Sequence, residues 1–386
     1  MEKRNDRVSD NNKIWIHCAS LGEFEQGRPV IEKIRELYPG HSIILTFFSP
    51  SGYEVRKNYS MADLVSYLPL DSSGNARRFL DLVNPQLVIF VKYEFWFHYL
   101  RETRRRNIPL LLISAIFRKD SVFFRWYGGL HRKMLDCFSH LFVQNEISFQ
   151  LLHSIGFTRC TVTGDTRFDR VIKIAEGGEP IPAIEKIIGD RKVIVAGSTW
   201  PADERILAGA MKALQDDSLL LIIAPHEITP EHIMLVQQLF IESIRYSALE
   251  NPDSQEALQE ETGCPRTLII DNIGMLSRLY RYGFITYVGG GFGKGIHNTL
   301  EAAVYGKPVL FGPVYQKFNE AVELIKSGAA ISIQDEGSCG KVIRNFLDNG
   351  DLYNHSCLAA KNYVYGKKGA TEKIMKYIQE NRLLIS

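Results

Sequence analysis

The chain has 386 residues, more than one hydrophobic core serves, because cores stop growing near ~250–300 residues; two domains of about 190 residues each are expected. An apolar share of 45% with 23% charged residues excludes a disordered, collagen-like or disulfide-scaffold protein. With 46 Lys+Arg against 44 Asp+Glu the formal charge is +2, without the basic excess of a dedicated nucleic-acid binder, so no nucleic-acid partner is expected and any anionic partner must be met locally.

The leader MEKRNDRVSDNNK is polar and lacks the apolar stretch of a signal peptide, and no apolar run reaches the ~18 residues of a membrane span. Strands are expected at 13–19, 43–48, 64–68, 87–91, 109–114 and 140–144. Helical spacing covers 24–38, 75–83, 94–106, 121–137 and 145–154. Short β-branched runs alternating with amphipathic stretches predict a doubly wound parallel sheet ending near residue 172.

Residues 173–190, with paired Gly and two Pro, read as a linker. The pattern then restarts over 191–365, with strands at 192–197, 219–224, 267–271, 284–288 and 308–311. The acidic stretch 247–265 reads as an exposed excursion. Three amphipathic stretches follow residue 334, and the last, within 366–386, is expected to be a helix that returns to the first domain. The six cysteines (Cys18, Cys137, Cys160, Cys264, Cys339, Cys357) form no C-x-x-C pair and no zinc spacing, which implies neither disulfides nor a structural metal and fits a reducing cytoplasm.

Two tandem α/β domains predict a cleft between the carboxyl edges of their sheets, so chemistry belongs on the loops leaving strands. Ser20-Leu21-Gly22-Glu23 joins the first strand to a helix start, where free N–H groups favour an ionised carboxylate suited to a general base; the same placement also describes plain helix capping. Gly289 to Glu301 follows strand 284–288 with five glycines in its first seven residues. It reads as a phosphate cradle, with Gly290, Gly291, Lys294 and the amides of a helix opening at 298–301, or as a glycine-rich structural turn. The spacing matches neither G-x-G-x-x-G nor a P-loop. Glu301, one turn into that helix, can accept two ribose hydroxyls.

Tyr93-Glu94-Phe95-Trp96 follows strand 87–91. Its carboxylate either holds a sugar or positions another residue, or else caps a helix while the aromatics join the core. Ser198, Thr199 and His226 sit at strand exits suited to nucleotide or phosphate contact, and His226 also reads as an ordinary loop histidine. Residues 117–133 interleave six cations or histidines with five aromatics, a composition that meets anionic lipid, with some aromatics assigned to the core. The run 101–106 (RETRRR) reads as a solvated helix face.

The blocks HCASLGE, KYEFW, VQNE, VTGDTRFD, GST, APH, VGGGFGKGIHNTLEAA, KPVLFGP and FNE, in this order, resemble the 3-deoxy-D-manno-octulosonate (Kdo) transferases of lipopolysaccharide assembly from about residue 13 to the end. The resemblance implies a GT-B fold, in which two Rossmann-like α/β domains face each other across a cleft. It also implies metal-independent, cofactor-free inverting transfer of Kdo from CMP-Kdo to a lipid A precursor, at the cytoplasmic face of the bacterial inner membrane with peripheral contact to anionic lipid. It makes Glu23 the general base, with Ser20 and Gly22 in its motif, and Glu94 the second carboxylate of E-x-E-L-W. It carries His297, Asn298, Thr299 and Glu301 onto the nucleotide-phosphate and ribose contacts, with Ser198, Thr199 and His226 on the nucleotide side. Arg167 stands where relatives have Lys, and Phe318, Asn319 and Glu320 match the F-N block.

Three departures stand out: the polar leader replaces an apolar anchor, Lys92 replaces the first carboxylate of E-x-E-L-W, and Ile116 replaces an Arg, with Arg118 nearby as a substitute. The rival readings are another GT-B enzyme using a UDP-sugar, either glycosyltransferase or epimerase, and a non-enzymatic membrane-binding module that would leave Glu23 and the glycine block idle.

Overall fold

Burial on both faces is what the continuous apolar runs demand, and the computed structural model, which describes residues 12–249 and 265–384, delivers it in two all-parallel, seven-stranded sheets. The first sheet contains β1 (Lys13–Cys18), β2 (Ser42–Phe47), β3 (Leu64–Tyr67), β4 (Leu87–Val91), β5 (Leu110–Ala115), β6 (His140–Val143) and β7 (Cys160–Val162), ordered β3-β2-β1-β4-β5-β6-β7. The second contains β8 (Lys192–Thr199), β9 (Leu219–Pro225), β10 (Ser243–Arg245), β11 (Thr267–Ile269), β12 (Ile285–Val288), β13 (Val309–Phe311) and β14 (Ala330–Ser332), ordered β10-β11-β9-β8-β12-β13-β14. Every strand expected from sequence is present. β7, β10 and β14 were not foreseen: each has three residues, includes a polar one and buries only one, unlike the wholly apolar and buried β13 of the same length.

The chain divides into one compact unit of residues 1–170 and 367–386 and a second of residues 171–366. In the first unit, one sheet face packs Phe24, Val30 and Ile34 of the helix Leu21–Leu37 together with Ile374, Met375 and Ile378 of the helix Ala370–Glu380. Burying each of those last three side chains contributes roughly 1.5–3 kcal/mol, enough to hold a terminal helix in place. Asp169 caps that helix, accepting from Gly369 N at 2.5 Å and Thr371 N at 2.6 Å. The opposite face buries an aromatic cluster around Trp15, Phe90 and Tyr99. In the second unit, Leu207, Ile233, Ile343 and Phe346 cover the face formed by Ile194, Leu221, Ile285 and Leu310.

Three expectations need correction. Residues 173–190 are not an open linker: they finish the helix Thr166–Glu176 and then form the helix Pro182–Ile188, whose Ile184 is fully buried. Gly177-Gly178 break the first helix, and Pro182, with its preset φ, starts the next. The helix expected over 121–137 is a 3₁₀ turn, Val122–Phe124, followed by the helix Gly129–Leu135. At Gly128 a Cβ would lie 2.1 Å from the Val122 carbonyl oxygen, so the chain needs glycine to turn there. The helix opening near Asn298 is a single turn, Leu300–Ala303, too short to carry much of a macrodipole. The leader 1–11, Cys264 and most of the excursion at 247–265 lie outside the described residues.

Three residues with a Cβ take left-handed conformations at strand ends. Lys92 (φ 72°) leaves β4, Ser114 (φ 51°) lies at the end of β5 and Ser198 (φ 52°) at the end of β8. Left-handed conformations of residues with a Cβ cost about 1–3 kcal/mol and mark positions that the surroundings over-determine. Among the described residues no helix is long and apolar enough to cross a membrane.

Candidate active site

In the first unit the exit of β1 holds the carboxylate singled out in the sequence. Ser20 is the N-cap of the helix Leu21–Leu37; its Oγ accepts from Gly22 N at 3.2 Å and donates to Glu23 Oε2. Glu23, at the third helical position, is therefore oriented by its own cap. Lys92 Nζ, reaching over from the end of β4, lies 4.0 Å from Glu23 Oε1 and 5.2 Å from the Tyr93 ring. At that length, with both side chains partly exposed, the ion pair contributes less than about 1 kcal/mol, so its effect is placement.

Glu94 is buried and caps nothing. The first amides of the helix Phe97–Arg105 are taken by Asp71, which accepts from His98 N at 3.0 Å and Tyr99 N at 3.2 Å. Glu94 Oε2 instead accepts from Trp96 Nε1 at 2.5 Å and lies 3.2 Å from His17 Nε2. His17 Nδ1 is 2.9 Å from Thr46 Oγ1, which accepts from Trp15 Nε1 at 2.8 Å. With the Trp15 proton already directed at Thr46, the hydroxyl proton goes to His17 Nδ1 and the Nε2–H goes to Glu94 Oε2, so every donor of this buried row has an acceptor. Glu94 Oε1 keeps no hydrogen-bond partner among the described residues. Cys18 lies beside these groups, its thiol pKa raised by burial first and then by the Glu94 and Glu23 carboxylates.

Tyr93 and Phe95, the chain neighbours of Glu94, but not Glu94 itself, line a cavity of about 270 Å³ together with Ile116, Phe117, Arg118, Ser121 and Phe123. The aromatics of 117–133 divide: Phe117 and Phe123 are buried, while Trp126 and Tyr127 are 90% and 60% exposed beside Leu130. Within 101–106, Arg101, Arg104 and Arg105 are exposed as expected, with Arg105 and Arg106 paired to Glu102, while Thr103 among them is fully buried. Arg167 forks onto Asp165 through Nε at 2.9 Å and a terminal guanidinium nitrogen at 2.8 Å.

In the second unit the glycine block is anchored by a residue that sequence reasoning missed. Asp203, fully buried, accepts from Gly290 N and Trp200 N at 2.9 Å each and from Tyr287 OH at 2.6 Å. Pro201 at the first helical position with Asp203 and Glu204 in the first turn after β8 is a helix-start signal that could have found it. Gly291 lies against Gly312, and a Cβ on Gly295 would meet the Phe318 ring at 2.7 Å, so the FNE block packs on the glycine loop. Asn319 is exposed and Glu320 half-buried at the start of the helix Asn319–Lys326.

Trp200, His226 and His297 gather at the exits of β8, β9 and β12. Trp200 Nε1 donates to His297 Nε2 at 3.0 Å with the rings 9° from parallel, and His226 stacks on both. Asn298 accepts from Leu300 N and donates to Glu301 Oε1 at 2.9 Å, while Lys294 is exposed. Thr199 donates to Glu204 at 3.1 Å; Thr299 is fully buried with an unpartnered hydroxyl among the described residues. The β8, β9 and β12 exits thus come together in this unit, and those of β1 and β4 in the other. Among the described residues no cluster of three His, Cys, Asp or Glu side chains could hold a metal ion.

Known proteins resemble both halves. The family described as 3-deoxy-D-manno-octulosonic-acid transferase (kdotransferase) matches residues 1–170. A bifunctional glycosyltransferase/methyltransferase of Fusobacterium nucleatum is 26% identical over 392 aligned residues, spanning 98% of this chain but 56% of that protein. The 3-deoxy-D-manno-octulosonic acid transferase of Aquifex aeolicus is 30% identical over 329 residues, 84% of this chain and 82% of that protein. Among solved structures, a UDP-GlcNAc 2-epimerase from Neisseria meningitidis bound to UDP-GlcNAc covers 95% of this chain and 100% of its own, with a TM-score of 0.65 at 16% identity. That likeness shows the fold alone, the GT-B arrangement of two parallel-sheet α/β units. Since the Aquifex relative aligns with both units, the chain belongs to the 3-deoxy-D-manno-octulosonic acid transferase family, glycosyltransferases of lipopolysaccharide synthesis.

Proposed function

We propose that this chain transfers Kdo from CMP-Kdo to a lipid A precursor with inversion, using Glu23 as general base. The observation that carries the reading is the half-buried Glu23 carboxylate, oriented by Ser20 at a helix N-terminus and paired with Lys92. The acceptor hydroxyl gives its proton to Glu23, its oxygen bonds to the anomeric carbon of Kdo, and the bond from that carbon to the phosphate oxygen breaks, releasing CMP. No step is routed through a metal. Glu94 and, separately, the aromatic cavity lined by its neighbours Tyr93 and Phe95 serve the acceptor sugar, Arg118 meeting its anionic groups.

On the donor side, the loop amides from Gly290 to Asn298 meet the phosphate. Lys294, His297, Ser198 and His226 surround the nucleotide, and Glu301 takes the ribose; Thr199, fully buried and bonded to Glu204, supports the strand exit behind them. Because the helix after Asn298 is one turn long, loop amides rather than a helix dipole carry that charge. Trp126, Tyr127 and Leu130, exposed among Arg125, Arg132 and Lys133, suit the anionic cytoplasmic face of the inner membrane.

The test is incubation with CMP-Kdo and a lipid A precursor, followed by mass spectrometry of the lipid. A mass increase of whole Kdo units supports the reading. No increase, together with thermal stabilisation by UDP and not CMP, would replace it with the UDP-sugar reading that the epimerase-like fold keeps in view. Glu23→Gln should keep CMP affinity and lose about 10²–10⁴ in turnover.

A further inference from the structure

The indole nitrogen of Trp200 can only donate. Its hydrogen bond ends on His297 Nε2 at 3.0 Å, so that nitrogen must hold a lone pair and the ring proton must sit on Nδ1. The two rings lie 9° from parallel, and His226 covers both at 4.6 and 4.4 Å between centroids. Nδ1 of His297 has no hydrogen-bond partner among the described residues, and the ring packs against Gly290 of the glycine loop. Ser198 precedes Trp200 by two residues in a left-handed conformation, and Asp203 holds Trp200 N and Gly290 N together. The Trp200 backbone and the loop are thus fixed to one carboxylate.

We propose that Trp200 is a positioning residue of the donor site: its N–H sets His297 in the Nδ1–H tautomer, which donates that N–H to the phosphate oxygen of the bound nucleotide. This rests on the donor-site reading above. Protonating His297 would place an N–H on Nε2 facing the indole N–H, so the ring stays a neutral donor. Burial first, and then His226 beside it, lower the His297 pKa, while Asp203 pulls the other way; these are the ionisable groups that bear on the ring. Phosphate affinity at this position is therefore insensitive to mild acidification.

The full chain labelled with ¹⁵N-histidine tests this by long-range ¹H–¹⁵N correlation, with His297→Gln assigning the signal. The wild-type ring should show protonated Nδ1 and bare Nε2, and keep that pattern as pH falls below the ordinary histidine value of about 6.5. In Trp200→Phe both nitrogens should become available and the ring should titrate at higher pH. Titrating CMP into both proteins between neutral and mildly acidic pH reads the consequence. The variant's affinity relative to wild type should rise by about tenfold on acidification, as a neutral hydrogen bond becomes charge-assisted. Taking the ratio cancels the titration of CMP's own phosphate. A wild-type ring protonated on Nε2, equal titration midpoints, or a ratio independent of pH overturns the assignment. Failure of CMP to bind wild type would overturn the donor-site reading instead, since the tautomer is read on the free protein.

Discussion

Lys92 Nζ stands 4.0 Å from Glu23 Oε1, carried there by a backbone at φ 72° that a lysine adopts only under constraint. Lys92→Gly should relieve about 1 kcal/mol of strain while removing the cation beside the proposed base. The expected outcome is unfolding at equal or higher temperature with reduced transfer to acceptor. Loss of stability together with unchanged turnover would show that the residue is structural.

His17 and Glu94 test the buried row. His17→Phe removes a donor to Glu94 Oε2 and leaves Thr46 with an unused proton, a loss of about 1–3 kcal/mol in denaturant unfolding. Turnover should fall with it, because Glu94 then relies on Trp96 alone. His17→Gln, which can still donate, should recover part of both.

The glycine loop predicts a contrast between neighbours. A Cβ on Gly291 would come within 2.5 Å of the Gly312 backbone nitrogen, whereas one on Gly293 meets nothing closer than 3.7 Å. Gly291→Ala should therefore cost roughly 1–3 kcal/mol and weaken CMP binding, while Gly293→Ala is tolerated. Thermal unfolding with and without CMP separates the two.

His140 stacks on Tyr377 of the C-terminal helix at 4.4 Å, and burial, reinforced by Arg159, lowers its pKa to about 4. Between that value and the ordinary ~6.5 the unfolded chain binds the proton that the folded chain refuses, so stability is lost as pH falls through this window. His41, also lowered chiefly by burial, adds in the same direction. His140→Gln should flatten the dependence of unfolding free energy on pH between 4 and 6.5, measured by urea titration.

Trp126 and Tyr127 are exposed with no core to support. Replacing both by Ala should leave thermal stability unchanged and reduce sedimentation with anionic vesicles, with little effect on neutral ones. Equal binding to anionic vesicles would remove this loop from the membrane contact.

Periodicity made both sheets legible, because β-branched runs buried on two faces cannot be mistaken for surface. Strand-exit motifs placed Glu23 and Glu94 on one unit and the glycine block on the other. The one-turn helix after Asn298 and the broken helix at Gly128 were misjudged, since helical spacing does not reveal where backbone contacts stop a helix.

What the sequence determined by itself was local and periodic: strands, the Ser20 cap of Glu23, and the family blocks in their order. Only the tertiary structure decided the partners. His17 meets Glu94 across 77 residues, Gly290 meets Asp203 across 87, and Trp200 meets His297 across 97. Parallel sheets bring remote strand ends to one edge, and hydrogen bonds between residues so far apart leave no period in the chain.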